Sequence, residues 1–397
     1  MGKKVVLAFS GGLDTSYCVK YLSAQGLDVY SAIVNTGGFN DEELQAIADR
    51  AGELGVKEHV TIDKTPAFYQ ECVRFLIFGN ILKNNTYPLS VSAERVFQAL
   101  AIGEYAKAQQ ADYIAHGSTG AGNDQVRFDL VFNIICPEIK IITPIRDNKL
   151  SREDEIKFLQ AHGVGGSWEK SMYSINKGLW GTSVGGKETL TSDQYLPEDA
   201  FPSPLKKEQP ETIALTFEKG EPKGVNGQSF KNPVHAIQYL QTIAAPFAIG
   251  RDIHVGDTII GIKGRVGFEA AAPMVLIKAH HALEKHVLGK WQLYWKDQLA
   301  TWYGNLVHEG QFLDPVMRNI EAFLEDTQKN VSGTVKVQLA PYRFHILGIT
   351  SPYDMMSSEF GKYGEMNNAW TGDDVRGFSK IAGNQAMIYH KMNKNGQ

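Results

Sequence analysis

Leu7-Ala8-Phe9-Ser10-Gly11-Gly12-Leu13-Asp14-Thr15-Ser16 runs from an apolar strand through a hydroxyl-rich glycine turn into a helix. A strand–turn–helix at the start of a chain points to a parallel sheet covered by helices, with this turn at the carboxyl end of the first strand, where such sheets bind ligands. Glycines let backbone N–H groups approach an anion, the hydroxyls of Ser10, Thr15 and Ser16 add donors, and the following helix presents its positive end. The combination reads as a phosphate cradle. It is not the common P-loop, because the lysine of G-x-x-x-x-G-K-[ST] is missing. The alternative is a plain turn capping an ordinary helix, with Asp14 as the N-cap.

The rest of the first 165 residues keeps the same alternation. Val5–Phe9, Val29–Val34, His59–Ile62, Tyr113–Ala115 and Ile139–Ile145 are expected strands, and Thr15–Gln25, Asp41–Leu54, Pro66–Phe78, Ala93–Gln109 and Arg152–His162 are expected helices. Asn35-Thr36-Gly37-Gly38 closes the second strand, either lining the ligand site or serving as a simple turn. From residue 166 the chain becomes loop-rich, with prolines at 197, 202, 204 and 210 interrupting any helix. The expected domains are therefore residues 1–165, 166–370 and a C-terminal helix within 371–397. In the second domain, strands are expected at Glu211–Phe217, Thr258–Ile262, Gly333–Gln338 and Arg343–Ile349, and helices at Val234–Ala244, Met274–Leu288 and Leu313–Gln328. The last helix, Asp373–Met392, carries Val375, Phe378, Ile381, Ile388 and Tyr389, and either packs on its own domain or reaches a neighbouring subunit. The pairs His280-His281 and Asp373-Asp374 read as helix-surface or capping residues rather than sites.

Composition excludes several classes. Of 397 residues 43% are hydrophobic, ample for a core, and a net charge of −4 gives no support to broad nucleic-acid binding. No apolar run is long enough for a membrane span and no signal-peptide pattern is present, so a cytoplasmic protein without a membrane or nucleic-acid partner is expected. Cys18, Cys72 and Cys136 are odd in number and far apart, against a disulfide framework or a cysteine zinc site.

A second chemical cluster is Ala115-His116-Gly117-Ser118-Thr119-Gly120-Ala121-Gly122-Asn123-Asp124-Gln125-Val126-Arg127-Phe128. It too follows a strand. Three glycines permit close backbone approach, and if Asn123 opens a helix, Asp124 and Arg127 stand one turn apart on one face. That set suits a zwitterionic amino acid, the carboxylate meeting an ammonium and the guanidinium gripping a carboxylate. The plainer reading is an Asp–Arg surface pair on a capped helix.

The S-G-G-x-D-[ST]-S form of Ser10–Ser16 resembles the pyrophosphate loop of the ATP pyrophosphatases. The Ala115–Phe128 motif narrows the likeness, and the chain resembles the argininosuccinate synthase family. Tyr87–Ser92 (Y-P-L-S-V-S) also resembles that family's Y-L-L-G-T-S, as do Tyr173-Ser174 and Ser183 nine residues on. The likeness is strongest to about residue 190. It implies a parallel-sheet α/β nucleotide-binding domain of the ATP-pyrophosphatase type, followed by an α+β synthetase domain and a C-terminal helix. It further implies ATP-dependent joining of citrulline and aspartate to argininosuccinate, with Mg²⁺, release of AMP and pyrophosphate, and a homotetramer. Carried over by position, Ala8, Phe9, Ser10, Gly11, Gly12, Leu13, Asp14, Thr15, Ser16, Val34 and Gly117 contact ATP. Thr119, Asn123 and Asp124 bind aspartate, and Tyr87, Ser92, Asn123, Arg127, Ser174 and Ser183 bind citrulline. Ser10, Asp14, Asn123, Asp124 and Arg127 are the candidates for the chemistry, and no residue is expected to hold a metal by itself.

Two departures stand out against that family pattern. Phe268 occupies the place of a substrate-binding tyrosine and Gly256 that of a glutamate facing citrulline, with Asp257 one position along as a replacement if the loop shifts. An N-acylated citrulline, acetyl or succinyl, is therefore an alternative acceptor. A non-catalytic nucleotide-binding regulator is the alternative of another class. A tRNA-modifying pyrophosphatase is expected to show a C-x-x-C pair or a basic appendage, and an amidotransferase a catalytic-cysteine domain; neither pattern is present.

Overall fold

The computed structural model describes residues 2–165, 173–357, 361, 363–365 and 369–394. The expected boundary at 165/166 abuts residues 166–172, outside the described ones.

Strands Lys4–Ala8 (β1), Asp28–Asn35 (β2), Glu58–Asp63 (β3), Tyr113–Ala115 (β4) and Lys140–Ile142 (β5) form a parallel sheet in the order β3-β2-β1-β4-β5. Its centre is buried on both faces, as the near-continuous apolar run of β1 requires. Val5 and Leu7 enter one core with Tyr17 and Leu22 of the helix Leu13–Ala24. Val6, pointing the other way, enters a second core with Phe97 and Ala101 of the helix Ser92–Ala108. Because β1 is flanked by β2 on one side and β4 on the other, the loops after β1 and β4 diverge at its carboxyl end. That divergence opens the crevice.

The remaining chain contributes Ser174–Gly178 (β6), Gly181–Gly185 (β7), Glu211–Glu218 (β8), Glu221–Val225 (β9), Gln228–Ser229 (β10), Arg251–Asp257 (β11), Lys263–Glu269 (β12), Gly333–Ala340 (β13) and Arg343–Thr350 (β14). These build two antiparallel sheets, β11-β12-β7-β6 and β10-β9-β8-β13-β14. In the first, Phe268 lies opposite Ser183, Ser183 opposite Asn176, His254 opposite Val266 and Gly256 opposite Gly264. Residues directly opposite in such a ladder project to the same face. One sheet face thus gathers Asn176, Ser183, His254, Gly256 and Phe268.

The second half departs from expectation in the strands β6, β7, β9, β10, β11 and β12, none of which was expected, and in four further places. Thr258–Ile262 is the turn between β11 and β12, closed by Thr258 N–H to the Ile262 carbonyl at 2.7 Å and Ile262 N–H to Thr258 Oγ1 at 2.9 Å. Its isoleucines mimic a strand, but Gly261 at φ +82° turns the chain. The helix Lys290–His308 was not anticipated, because Ala300, Tyr303 and Val307 are buried while Trp291, Trp295 and Trp302 are exposed, blurring the apolar stripe. His280 is not on a helix surface: it is fully buried, with Nδ1 2.6 Å from Asn80 Oδ1 and Nε2 2.9 Å from Gln328 Oε1. The single terminal helix is two, Gly372–Ala382 and Asn384–Lys394, interrupted at Gly383, and neither buries a side chain. Asp374 completes a capping box with Thr371 there.

Gly250, which leads into β11, has φ +75°, and a Cβ on it would stand 2.6 Å from the Ala270 carbonyl oxygen. Gly26 has φ +78° with nothing within 4 Å. Gly250→Ala should therefore destabilise by about 2–4 kcal/mol, combining left-handed strain with overpacking, and Gly26→Ala by about 1 kcal/mol from strain alone. Urea unfolding of both variants checks this, and equal losses would contradict the clash.

Candidate active site

The first loop is built as its sequence suggests. Phe9 N–H continues the ladder to the Ala32 carbonyl at 2.9 Å, and Gly11 then turns the chain at φ +76°, where a Cβ would sit 3.3 Å from Ile47. Gly12 is the N-cap and makes no side-chain cap, so Asp14 is not the cap and lies inside the first turn. The hydroxyls of Ser10 and Thr15 are 3.4 Å apart over that helix end, and Ser10 N–H reaches Thr15 Oγ1 at 3.4 Å. Ser16 is buried beneath the loop, its hydroxyl without a partner. Burial, followed by the neighbouring Asp14 carboxylate, pushes the Glu155 carboxyl well above its ordinary range. The second loop closes against the first, since a Cβ on Gly117 would meet Asp14 and Thr15 at 3.4 Å.

Between the loops and the β11-β12-β7-β6 sheet lies a cleft of about 1240 Å³, above the roughly 300–1,000 Å³ of a single small-ligand pocket. It has room for more than one substrate. Ala8, Phe9, Ser10, Gly12, Leu13, Asp14, Thr15, Val34 and Gly117 line it, with Thr119, Asn123 and Asp124 from the second loop and Tyr87, Ser92, Arg127, Ser174 and Ser183. Gly11 and Ser16 are the singled-out residues that do not. Gly38 of the Asn35–Gly38 turn also reaches the wall, while Gly37 N–H bonds Asn35 Oδ1 at 2.8 Å.

Asp124 and Arg127 do stand one turn apart, at 2.9 Å, but they are not a surface pair. Asp124 also takes Arg95 Nε at 2.9 Å, and Arg127 donates Nε and Nη2 to the His308 carbonyl at 2.9 and 2.7 Å. Burial alone would raise the Asp124 carboxyl; the two guanidiniums outweigh it and hold it at about 2. The Tyr87 hydroxyl accepts from Ser90 Oγ at 3.1 Å and Val91 N–H at 3.3 Å, placing its ring beside the cluster. Asn123 Oδ1 accepts Ile259 N–H at 2.9 Å, tying the second loop to the β11–β12 turn.

Residues 4–165 match the family described as the arginosuccinate synthase N-terminal HUP domain, and residues 173–389 match its C-terminal domain. The chain belongs to the argininosuccinate synthase family. It is 36% identical to the argininosuccinate synthase of Methanocaldococcus jannaschii over 398 residues, covering 99% of this chain and 100% of the relative. It is 37% identical to that of Dictyoglomus turgidum, covering 98% and 97%, and 35% identical to that of Xylella fastidiosa, covering 99% and 98%. The likeness thus runs well past residue 190, where the motifs thin out.

Within this argininosuccinate synthase family member, the cleft residues that sequence reading missed include Arg95, His254 and His308. Arg95 lies one helical turn after Ser92, a spacing that was available as a signal. His254 and His308 carried no motif, the second lying on the unanticipated helix. Burial lowers His254 to about 4, aided by Lys83, and His308 to about 3, aided by Arg127 and Lys83. Phe268 is fully buried, its ring 5.4 Å from Tyr87, and does not line the cleft. Asp257 is largely exposed and paired with Lys263 at 2.6 Å.

The two imidazoles set a pH dependence. Their folded values lie below the ordinary 6.5, so between that value and about 4 the unfolded chain binds protons that the folded one refuses. Stability is present above about 6.5 and is lost as pH falls, by about 2 kcal/mol per histidine between pH 7 and 5. Calorimetry of the wild type and of His254→Gln/His308→Gln checks this: the variant should lose less stability on acidification, and an equal loss would contradict it.

Proposed function

We propose that this chain joins citrulline and aspartate to argininosuccinate, converting ATP to AMP and pyrophosphate. The observation that carries the reading is the meeting of two glycine loops at the switch point of the parallel sheet, with the Arg95–Asp124–Arg127 cluster at the start of the helix that follows the second loop. The ureido oxygen attacks the α-phosphorus, and the bond to pyrophosphate breaks. The aspartate amine, neutral when it attacks, then forms a C–N bond to the ureido carbon. The C–O bond breaks, AMP leaves with the former ureido oxygen, and the amine releases its proton.

In this reading Ala8–Ser16, Val34 and Gly117 hold ATP, with Gly11 shaping the turn and the Ser10 and Thr15 hydroxyls on the departing pyrophosphate. Thr119, Asn123 and Asp124 hold aspartate. Each Asp124 oxygen already takes one guanidinium N–H, and its remaining lone pairs face the amine. Tyr87, Ser92, Asn123, Arg127, Ser174 and Ser183 hold citrulline. Mg²⁺ enters with the nucleotide, and Asp14 is the carboxylate at the loop. Holding three reactants in line supplies much of the rate, since orientation alone lowers a barrier by roughly 7–11 kcal/mol.

Residues 1–165 are read as the nucleotide-binding unit, 166–370 as the substrate and oligomerisation unit, and 371–397 as an intersubunit arm of a cytoplasmic homotetramer. The exposed Phe378, Ile381, Ile388 and Tyr389 of the terminal helices support the arm, and the free, buried Cys18, Cys72 and Cys136 support a reducing compartment. No helix among the described residues is long and apolar enough to cross a membrane.

With Mg²⁺, ATP should yield AMP and pyrophosphate only when a citrulline-type acceptor is present, with aspartate needed for full turnover. Formation of ADP and orthophosphate would overturn the assignment. Ser10→Ala should impair ATP use, Asp124→Ala aspartate use and Arg127→Ala acceptor use. For the charged pair the expected loss is about 2–5 kcal/mol, roughly thirty-fold to several thousand-fold in kcat/KM. Unchanged kinetics in all three variants would return these residues to structural roles.

A further inference from the structure

Four carboxylates line the cleft, and each already has a partner. Asp14 sits against Glu155, Glu43 takes Asn40 N–H at 3.0 Å and lies 3.7 Å from Lys177, Asp124 takes Arg95 and Arg127, and Asp257 takes Lys263. None of the four is a buried, unpaired counter-charge, and Asp257, the one beside Gly256, lies mostly in solvent with Lys263. Where the sheet face carries Gly256, the space is filled: a Cβ there would stand 2.6 Å from His254 Nε2. His254 occupies the room that a side chain at 256 would need.

His254 and His308 are 4% and 6% exposed, both line the cleft, and each has a buried ring nitrogen without a partner. In His308 that nitrogen is a donor. Its Nδ1 lies 3.4 Å from Arg127 Nη2, which only donates, so Nδ1 accepts and Nε2 carries the hydrogen. Lys83 and Arg127 add positive charge nearby. An ammonium brings three donors and a charge into this environment and finds two neutral imidazoles, two cations and one carboxylate, Asp124, already held by two guanidiniums, a poorly compensated burial. An amide brings one carbonyl and one N–H, which suit the Nε2–H of His308 and the unpaired nitrogen of His254, and no charge.

Resting on the ligase reading above, we propose that the enzyme takes its acceptor with the α-nitrogen acylated, using an N-acyl citrulline at least as well as citrulline itself. The acyl group takes no part in the reaction and is retained in the product.

The test compares kcat/KM for citrulline, N-acetyl-citrulline and N-succinyl-citrulline with the purified full chain at saturating MgATP and aspartate, following AMP and identifying the product by mass. The expected result is a value for one acyl derivative at or above that of citrulline, with the acyl group still on the product; the two derivatives distinguish a small neutral group from an anionic one. Lower values for both, or deacylated product, overturn the proposal while leaving the ligase reading standing. No AMP from any of the three overturns the ligase reading itself. Gly256→Glu combined with His254→Leu, which clears the clash, should lower the acyl-to-free ratio at least tenfold. An unchanged ratio in the folded variant would overturn the part assigned to these two residues.

Discussion

The contact on which the site depends is Arg127 to the His308 carbonyl. Two N–H groups of one buried guanidinium close on a single oxygen from the far half of the chain, while the third corner holds Asp124. Gly310, at φ +79°, lets that helix end approach so closely that a Cβ would lie 3.3 Å from the Arg127 side chain. Arg95, on the other side of Asp124, extends to Asn176 Oδ1 of β6 at 3.3 Å. One carboxylate thus sits between two cations that anchor opposite walls. Such a cluster is costly to desolvate and holds together only while every member is present. Removing Asp124 would set two like charges against each other across the cleft.

The same cluster explains how the two glycine loops acquire different roles. In the first, no side-chain cap takes the leading N–H groups of the helix and the Ser10 and Thr15 hydroxyls make only long contacts of 3.3–3.4 Å, which leaves a positive helix end for an anion. The second spends its side chains on protein: Asn123 on Ile259, Asp124 on Arg95 and Arg127, and Arg127 on His308 as well. It therefore positions the walls as much as it binds. Beneath both, burial raises Glu94 to about 8 despite the nearby Arg95, and Thr36 donates to it at 2.8 Å.

What could be read in the sequence was what is local. The strand–turn–helix at Leu7–Ser16 and the glycines of Ala115–Phe128 declare themselves within one or two turns of chain, because backbone approach and helix-end charge are short-range requirements. The antiparallel half was less legible. Its strands are short, its cleft-facing face carries Ser, Asn, Gly and His rather than an apolar alternation, and Ile259, Ile260 and Ile262 advertise a strand where a turn is made. His280 reads as polar yet is core, because Asn80 and Gln328, from 200 and 48 residues away, bring a polar atom to each ring nitrogen. No window around residue 280 contains that information.

Gly256 shows a further reason why position-by-position comparison falls short. Taken alone it is a missing carboxylate, and Phe268 a missing hydroxyl. In the fold, Gly256 and His254 are two halves of one change, since the imidazole occupies the volume that any side chain at 256 would claim. His254 stacks on Tyr87 at 5.2 Å, and Phe268 packs against the same ring at 5.4 Å. The three aromatic groups form a continuous apolar backing in which an imidazole stays neutral and a hydroxyl at 268 would need a partner that the packing does not supply. The polarity of this wall is thus set by which residues share a sheet face. The register of β7, β11 and β12 decides that, and neither departure reveals it in isolation.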